Sequence, residues 1–144
     1  MDTEEREILI KNLCARLPYR VKVHFDGDAN IPRELTSYDS YGSEVVFCAE
    51  SFTGLKPEQI KPYLRQMSSM TEQEKREYDK FLFDNLEAED VIGYEDYKYG
   101  IDVIMRYRSW EVVEWLNKHH FDYLGLIDVY GLALEAPADM YNIK

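Results

Sequence analysis

The hydrophobic period of this chain changes at Pro18, and that change predicts a mixed fold. Over residues 3–16, apolar residues recur at helical spacing, and acidic residues occupy the first turn, where a helix dipole favours them. Thr3 is the expected cap of this helix. Over residues 19–25, apolar and polar side chains alternate, which is typical of a half-buried strand. A helix therefore precedes a sheet, and the expected fold class is α+β.

The apolar runs after residue 25 predict a small antiparallel sheet. Three further strands are expected over residues 33–38, 44–49 and 61–65, with a short helical turn over 54–60. Short strands, tight turns and a one-turn helix before the last strand are typical of an SH3-like barrel. An open antiparallel meander also fits this pattern, so both architectures remain candidates.

The second half of the chain is expected to be helical. Thr71 and Glu74 form a capping box, which predicts a helix that runs to about residue 86. A second helix is expected from Ser109 to about residue 119, followed by one or two helical turns over 123–129. The expected division is 1–66 as a helix with a small β unit and 67–144 as a helical, acidic part packed on it.

The two periodicities together predict which side chains are buried. The expected core residues share apolar character and an inward position in the helical or strand pattern: Val21, Val23, Phe25, Val46, Phe47, Leu64, Trp115, Leu116, Phe121, Leu126 and Ile127. Cys14 and Cys48 are expected to be buried, reduced thiols. No run of about 18 apolar residues occurs, so no membrane span is expected and the expected location is the cytoplasm.

Charge is the feature that most limits the possible partners. The chain has 17 basic and 28 acidic residues, a net charge of −11. Duplex binding needs clustered cations, so direct binding to nucleic acid is disfavoured. Residues 84–102 contain seven acidic residues and one lysine. Tyrosines interleaved with carboxylates form a recognition surface for a basic partner protein, and a merely solvated acidic face is the simpler alternative. The candidate contact residues are Glu87, Glu89, Asp90, Tyr94, Glu95, Asp96, Tyr97 and Tyr99.

Two other sites support alternative functions. Arg20, Lys22 and His24 share one strand face, and with Tyr63 and Arg65 they suggest a small-barrel nucleic-acid or nucleoprotein accessory factor. The adjacent His119 and His120, with Asp122, suggest a metal-dependent enzyme. Neighbouring histidines at a helix end point apart, however, so neither a bound metal nor a cofactor is expected. Phosphate-binding glycine loops and serine-nucleophile motifs are absent, and a non-enzymatic role is therefore favoured.

Several stretches resemble one family of proteins. They are Lys61-Pro-Tyr-Leu-Arg65, Met67-Ser-Ser-Met-Thr-Glu72, Trp115-Leu-Asn-Lys-His-His-Phe-Asp-Tyr123 and Gly131-Leu-Ala-Leu-Glu-Ala-Pro137. The chain resembles an uncharacterised family of small proteins encoded in phage, prophage and mobile-element regions of gut anaerobes. This resemblance implies a phage-related context in the cytosol of a bacterial host cell. The acidic second half and its aromatic residues suggest a host or phage protein with a basic surface as the partner. The resemblance implies no reaction and no functional residues. The chain departs from the pattern at Leu124, where arginine is usual, and in the additional Val129-Tyr130.

Overall fold

The chain forms two compact units, which are described separately. A computed structural model describes residues 1–26, 31–41, 44–85 and 110–141. The sheet unit comprises Met1–Leu64 and Leu126–Lys144, and the helical unit comprises Arg65–Gly125. Helices and strands are both present, so the predicted α+β class is confirmed. The division into parts 1–66 and 67–144 stays a prediction.

Among the described residues, the sheet unit contains one α-helix and six β-strands. In chain order they are α1 (Thr3–Arg16), β1 (Lys22–Phe25), β2 (Arg33–Tyr41), β3 (Glu44–Ala49), β4 (Phe52–Leu55), β5 (Ile60–Leu64) and β6 (Leu134–Glu135). Short 3-10 helices lie at Leu17–Tyr19 and Pro57–Gln59. The N-cap of α1 is Asp2, which forms a capping box with Glu5, so the expected cap at Thr3 is wrong.

The six strands form an open sheet in the order β4-β3-β2-β1-β5-β6. The first four strands are consecutive antiparallel neighbours, β5 returns to pair with β1, and β6 lies parallel to β5. The possible SH3-like barrel is therefore wrong. The chain crosses back to β1 through the 3-10 helix Pro57–Gln59, so β4 and β6 remain as the two edges of the described sheet and do not pair with each other.

One face of this sheet carries the core. Its register places Val23 of β1 opposite Pro62 of β5, and Phe25 opposite Ile60. These positions, with the inward residues of β2 and β3, are buried, as are Leu9 and Leu13 of α1. The core prediction is confirmed except at Val46 and Ile127, which are half-buried. Val46 lies next to Phe47 on β3 and therefore points to the opposite face.

The chain after residue 125 returns to the sheet unit without forming a helix. Residues 126–129 form turns, so the helical turns expected over 123–129 are wrong. Gly131 has φ +65°, and the amide of Leu132 donates to the carbonyl of Leu126 at 2.8 Å, which closes the loop. Leu134 and Glu135 then pair with Tyr63 and Leu64.

Tyr141 joins two strands through its hydroxyl group. The amide of Lys22 on β1 donates to this hydroxyl at 3.0 Å, and the hydroxyl donates to the carbonyl of Tyr63 on β5 at 2.7 Å. The register places Lys22 opposite Tyr63, so the phenol bridges a position of the antiparallel ladder. Burial raises the pKa of Tyr141 to about 12, and hydrogen bonding from Lys22 partly opposes this shift.

The helical unit contains α2 (Glu72–Asn85), α3 (Trp110–Lys118) and the 3-10 helix Met67–Ser69. Its buried cluster is formed by Met67, Met70, Tyr78, Val112, Trp115, Leu116, Phe121 and Tyr123. None of the described helices is both long and apolar enough to cross a membrane. The two cysteines, in α1 and β3, are free, as expected, but they are half-buried, so the expectation of buried thiols is wrong.

Candidate functional site

The acidic, tyrosine-bearing stretch predicted to contact a partner lies outside the described residues. This holds for all of its candidate residues, Glu87, Glu89, Asp90, Tyr94, Glu95, Asp96, Tyr97 and Tyr99. The stretch therefore stays a prediction, and the described residues contain four other candidate sites.

The first is a buried ion pair in the helical unit. Arg65 is only 6% exposed, and its two terminal nitrogens donate to the two carboxylate oxygens of Glu74 at 2.8 and 2.7 Å. The same guanidinium lies 4.2 Å from the centre of the Phe121 ring, a cation–π contact. It also donates to the backbone carbonyls of His119 and Ser69. The charge of Arg65 is thus fully engaged inside the unit.

Glu74 combines this ion pair with the start of α2. Its carboxylate accepts from the amide of Thr71 at 2.9 Å, and its own amide donates to the Thr71 hydroxyl at 3.2 Å, which confirms the predicted capping box. Burial alone would raise the pKa of Glu74. The hydrogen bonds from Arg65 and Thr71, together with the positive charge of Arg65, outweigh burial and lower that pKa below its ordinary value.

The Arg65–Glu74 pair lies where two separate stretches of the helical unit meet. The amide of Arg65 donates to the carbonyl of His120, and the amide of Asp122 donates to the carbonyl of Arg65, both at 2.8 Å. Residues 65–74 and 119–122 are therefore parts of one hydrogen-bonded cluster. Its polar groups bind one another, which is the arrangement of a structural centre.

His119 and His120 directly follow α3, and their side chains lie in different surroundings. The ring of His119 stacks on Trp115 with centroids 4.4 Å apart, and its Nδ1 lies 2.9 Å from the Trp115 carbonyl. A carbonyl can only accept, so Nδ1 carries the proton. His120 is buried and has φ +64°, the left-handed position that follows a helix. The amides of His120 and Phe121 donate to Asn117 and Leu116, which is the Schellman arrangement.

Metal and acid–base chemistry gain no support from the described residues. No group of three or more His, Cys, Asp or Glu side chains that could hold a metal comes together in that part of the chain. Burial raises the pKa of Cys14, and burial raises the pKa of Tyr78 and Tyr141 to about 12. The pKa of Glu58, like that of Glu74, is lowered: burial opposes the shift, and hydrogen bonds and nearby cations produce it. General acid–base groups work best with a pKa near the operating pH. Each of these five pKa shifts instead leads away from neutrality.

The outer face of β1 and β5, opposite the core face, carries a basic group of side chains. His24 pairs with Lys61, and Lys22 and Tyr63 lie two residues away on the same face. We call Lys22, His24, Lys61 and Tyr63 the basic quartet. Strand alternation correctly predicts that Lys22 and His24 share a face. It does not reveal Lys61 as their neighbour, because the pairing of β5 with β1 is a long-range feature.

Two residues expected near this face have other partners. Arg65 does not contribute to it, because its guanidinium is buried against Glu74. Arg20 lies 3.4 Å from Glu34, and the Arg20 side chain is 84% exposed. Glu34 stands opposite Lys22 on β2, so the nearest carboxylate in the register is already paired with Arg20.

The core face ends in exposed aromatic side chains near β2 and β4. Tyr38 pairs with Phe47, and Phe52 pairs with Ala49, so both aromatic residues project to the core face. Tyr38 is 48% and Phe52 37% exposed. The guanidinium of Arg33 lies 5.1 Å from the centre of the Phe52 ring, and Phe25 lies below that ring at 4.9 Å. We call Arg33, Tyr38 and Phe52 the aromatic patch.

Sequence patterns miss the aromatic patch for a physical reason. Tyr38 and Phe52 have the apolar character of core residues. Phe52 lies on the edge strand β4, and Tyr38 lies in the part of β2 that extends beyond its pairing with β1. β4 itself contains Gly54 with φ +67°, which interrupts the regular alternation that identifies a strand.

Comparison with known proteins returned no matching family model, no matching curated protein and no matching solved structure.

Proposed function

We propose that this protein is a non-enzymatic accessory protein that acts by protein–protein interaction, in the phage or mobile-element setting that the resemblance implies. The observation that carries the proposal is the aromatic patch. Aromatic residues and arginine are enriched at protein interfaces, whereas the core of such interfaces is depleted of other charged residues. In the aromatic patch, a partly exposed phenylalanine lies under an arginine and shares a sheet face with a half-exposed tyrosine.

An exposed aromatic side chain is unfavourably solvated by water, and a binding partner that covers it gains free energy. Burying an aromatic side chain gains about 1.5–3 kcal/mol relative to leaving it exposed. Phe52 is already held by Phe25 and Arg33, so little side-chain freedom remains to be lost on binding. This preorganisation favours a recognition role for the aromatic patch.

The acidic stretch Glu87–Tyr99 supplies a second proposed contact, with a host or phage protein that has a basic surface. Its support is compositional. Seven acidic residues within 84–102 repel one another, and tyrosine offers large contact area at low conformational cost. In this proposal the aromatic patch provides affinity and the acidic stretch provides steering and selectivity.

Capture of partners from the native host tests both contacts. We expect the double substitution Tyr38→Ser with Phe52→Ser to abolish recovery of the main partner. We expect Glu95→Lys with Asp96→Lys to weaken recovery and to make it less sensitive to salt, with little change in melting temperature. Val129→Ser is the matched control, because Val129 is 76% exposed and lies outside both contacts.

The interpretation of this capture experiment depends on folding controls. Each variant must keep the far-UV circular dichroism of the wild-type protein. Equal recovery of the partner by the wild type and by the aromatic double variant would contradict the role of the aromatic patch. Equal recovery by the acid-to-lysine variant at every salt concentration would reduce the acidic stretch to a solvated face.

A further inference from the structure

The basic quartet is a concentration of positive charge in a strongly acidic chain. Lys22 and Lys61 lie on a diagonal across the antiparallel pair β1–β5, with His24 and Tyr63 at the other two corners. Neither lysine forms an ion pair with any carboxylate of the described residues. Glu34, directly opposite Lys22 on β2, is paired with Arg20. An anionic partner would supply the counter-charge for the two ammonium groups.

We propose that the basic quartet binds an extended acidic peptide segment whose carboxylates occupy alternate positions. An extended chain rises about 3.3 Å per residue, so carboxylates at every second residue are about 7 Å apart. Diagonal neighbours on an antiparallel pair are about 7–8 Å apart. The two lysines therefore match the repeat of an acidic strand, with one ammonium group for each carboxylate.

The other two corners add hydrogen-bond donors. An imidazole ring always has at least one N–H group, and a phenol has a hydroxyl, so His24 and Tyr63 each offer a donor next to a lysine. Lys22, His24 and Tyr63 are half-buried, whereas Lys61 is exposed. The backbone of Lys22 and of Tyr63 is fixed by the hydroxyl of Tyr141. This bridge holds two of the four corners in place before any ligand binds.

Charge favours a peptide over a nucleic-acid strand as the occupant. A nucleic acid presents a continuous line of phosphates, and its affinity grows with the number of cations that replace counterions. The quartet offers only two lysines, and the whole chain carries a net charge of −11 that repels the remaining phosphates. A short acidic peptide needs only the two contacts that are present. The basic quartet lies on the face opposite the aromatic patch, so this inference is independent of the proposed function.

The test is a fluorescence anisotropy titration of the full chain at about 50 and about 150 mM salt. The probe is a short fluorescein-labelled peptide in which glutamate alternates with serine. We expect saturable binding at the lower salt concentration, about tenfold weaker binding for Lys61→Glu, and marked weakening at the higher salt concentration. Lys11→Glu is the matched control, because Lys11 is also exposed but lies on α1. This control should change the affinity about twofold at most.

Four results would overturn the proposal. The first is an affinity for the glutamate peptide that Lys61→Glu leaves unchanged. The second is an equal loss in Lys11→Glu, which would indicate a general effect of net charge. The third is tighter binding of a thymidine oligonucleotide of equal charge, which would assign the quartet to single-stranded nucleic acid. A peptide with glutamine in place of glutamate must not bind, and binding of this control would equally contradict the proposal.

Discussion

At the scale of single residues, loss of the Glu74 carboxylate should strongly destabilise the helical unit. This carboxylate neutralises Arg65 and caps α2. The substitution Glu74→Gln leaves Arg65 charged, buried and without a counter-charge, which costs about 3–5 kcal/mol in the free energy of unfolding. Urea denaturation at neutral pH measures this loss.

The control for Glu74→Gln lies on the same helix turn. Glu72 is exposed and lies 3.5 Å from Lys75, so Glu72→Gln should change the free energy of unfolding by about 0.5 kcal/mol or less. Similar losses in the two variants would contradict the assignment of Glu74 to a buried ion pair.

The same carboxylate gives the protein a defined acid sensitivity. The folded-state pKa of Glu74 is lower than its ordinary value of 4.5, so the stabilisation is complete above that value and disappears as the pH falls through the folded-state pKa. The wild-type protein should lose stability as the pH falls below about 4.5, and Glu74→Gln should lose less over that window. Parallel curves for the two proteins would exclude Glu74 as the titrating group.

At the scale of secondary-structure elements, Tyr141 is the connection between the C-terminal segment and the sheet. In Tyr141→Phe, the amide of Lys22 and the carbonyl of Tyr63 both lose a hydrogen-bond partner. Leaving buried backbone groups unsatisfied costs about 1–3 kcal/mol. Tyr130→Phe is the control, because Tyr130 is an exposed tyrosine of the same segment. Thermal denaturation should separate the two variants clearly.

Alkaline pH gives an independent check of the Tyr141 bridge. Burial raises the pKa of Tyr141 from 10.0 to about 12, so the protonated phenol stabilises the folded state below pH 10, and this stabilisation is lost as the pH rises towards 12. Tyr141→Phe should therefore reduce the alkaline loss of stability. If the alkaline loss is the same in both proteins, Tyr141 is not the buried group that titrates in this range.

Local sequence patterns predict a helix or strand well where a single hydrophobic period or capping motif determines it. The helix period gives α1, the two-residue alternation gives β1, the continuous apolar run gives β3, and the spacing of Thr71 and Glu74 gives the start of α2. β6 has only two residues, too short for any period, and β4 contains a left-handed glycine. These two strands are visible only after the chain has folded.

The residues of the candidate sites are likewise predictable only where neighbours along the chain bring them together. Alternation places Lys22 with His24, but the position of Lys61 beside them requires the pairing of β5 with β1. From the sequence alone, Arg65 at the end of β5 is expected to be an exposed cation. Its burial depends on Glu74 and Phe121, which are nine and 56 residues away along the chain.

At the scale of the whole molecule, the net charge of −11 limits what the protein can bind. Affinity for duplex DNA depends on the number of phosphates that cations neutralise, and the quartet supplies two lysines. We expect no binding tighter than micromolar at about 150 mM salt in an anisotropy titration with duplex DNA. The glutamate peptide serves as the comparison. Sub-micromolar affinity for the duplex with a steep salt dependence would favour the nucleic-acid accessory function instead.

The return of β6 to the sheet has a consequence for the order of folding during synthesis. The helical unit, Arg65–Gly125, lies between β5 and β6 in the chain. A ribosome releases those residues before it releases β6 and Tyr141. The helical unit can therefore fold while β5 of the sheet still lacks its neighbour β6. β6 then pairs with the exposed edge of β5. If synthesis stopped after residue 125, that edge would stay unpaired and could pair with a strand of another chain.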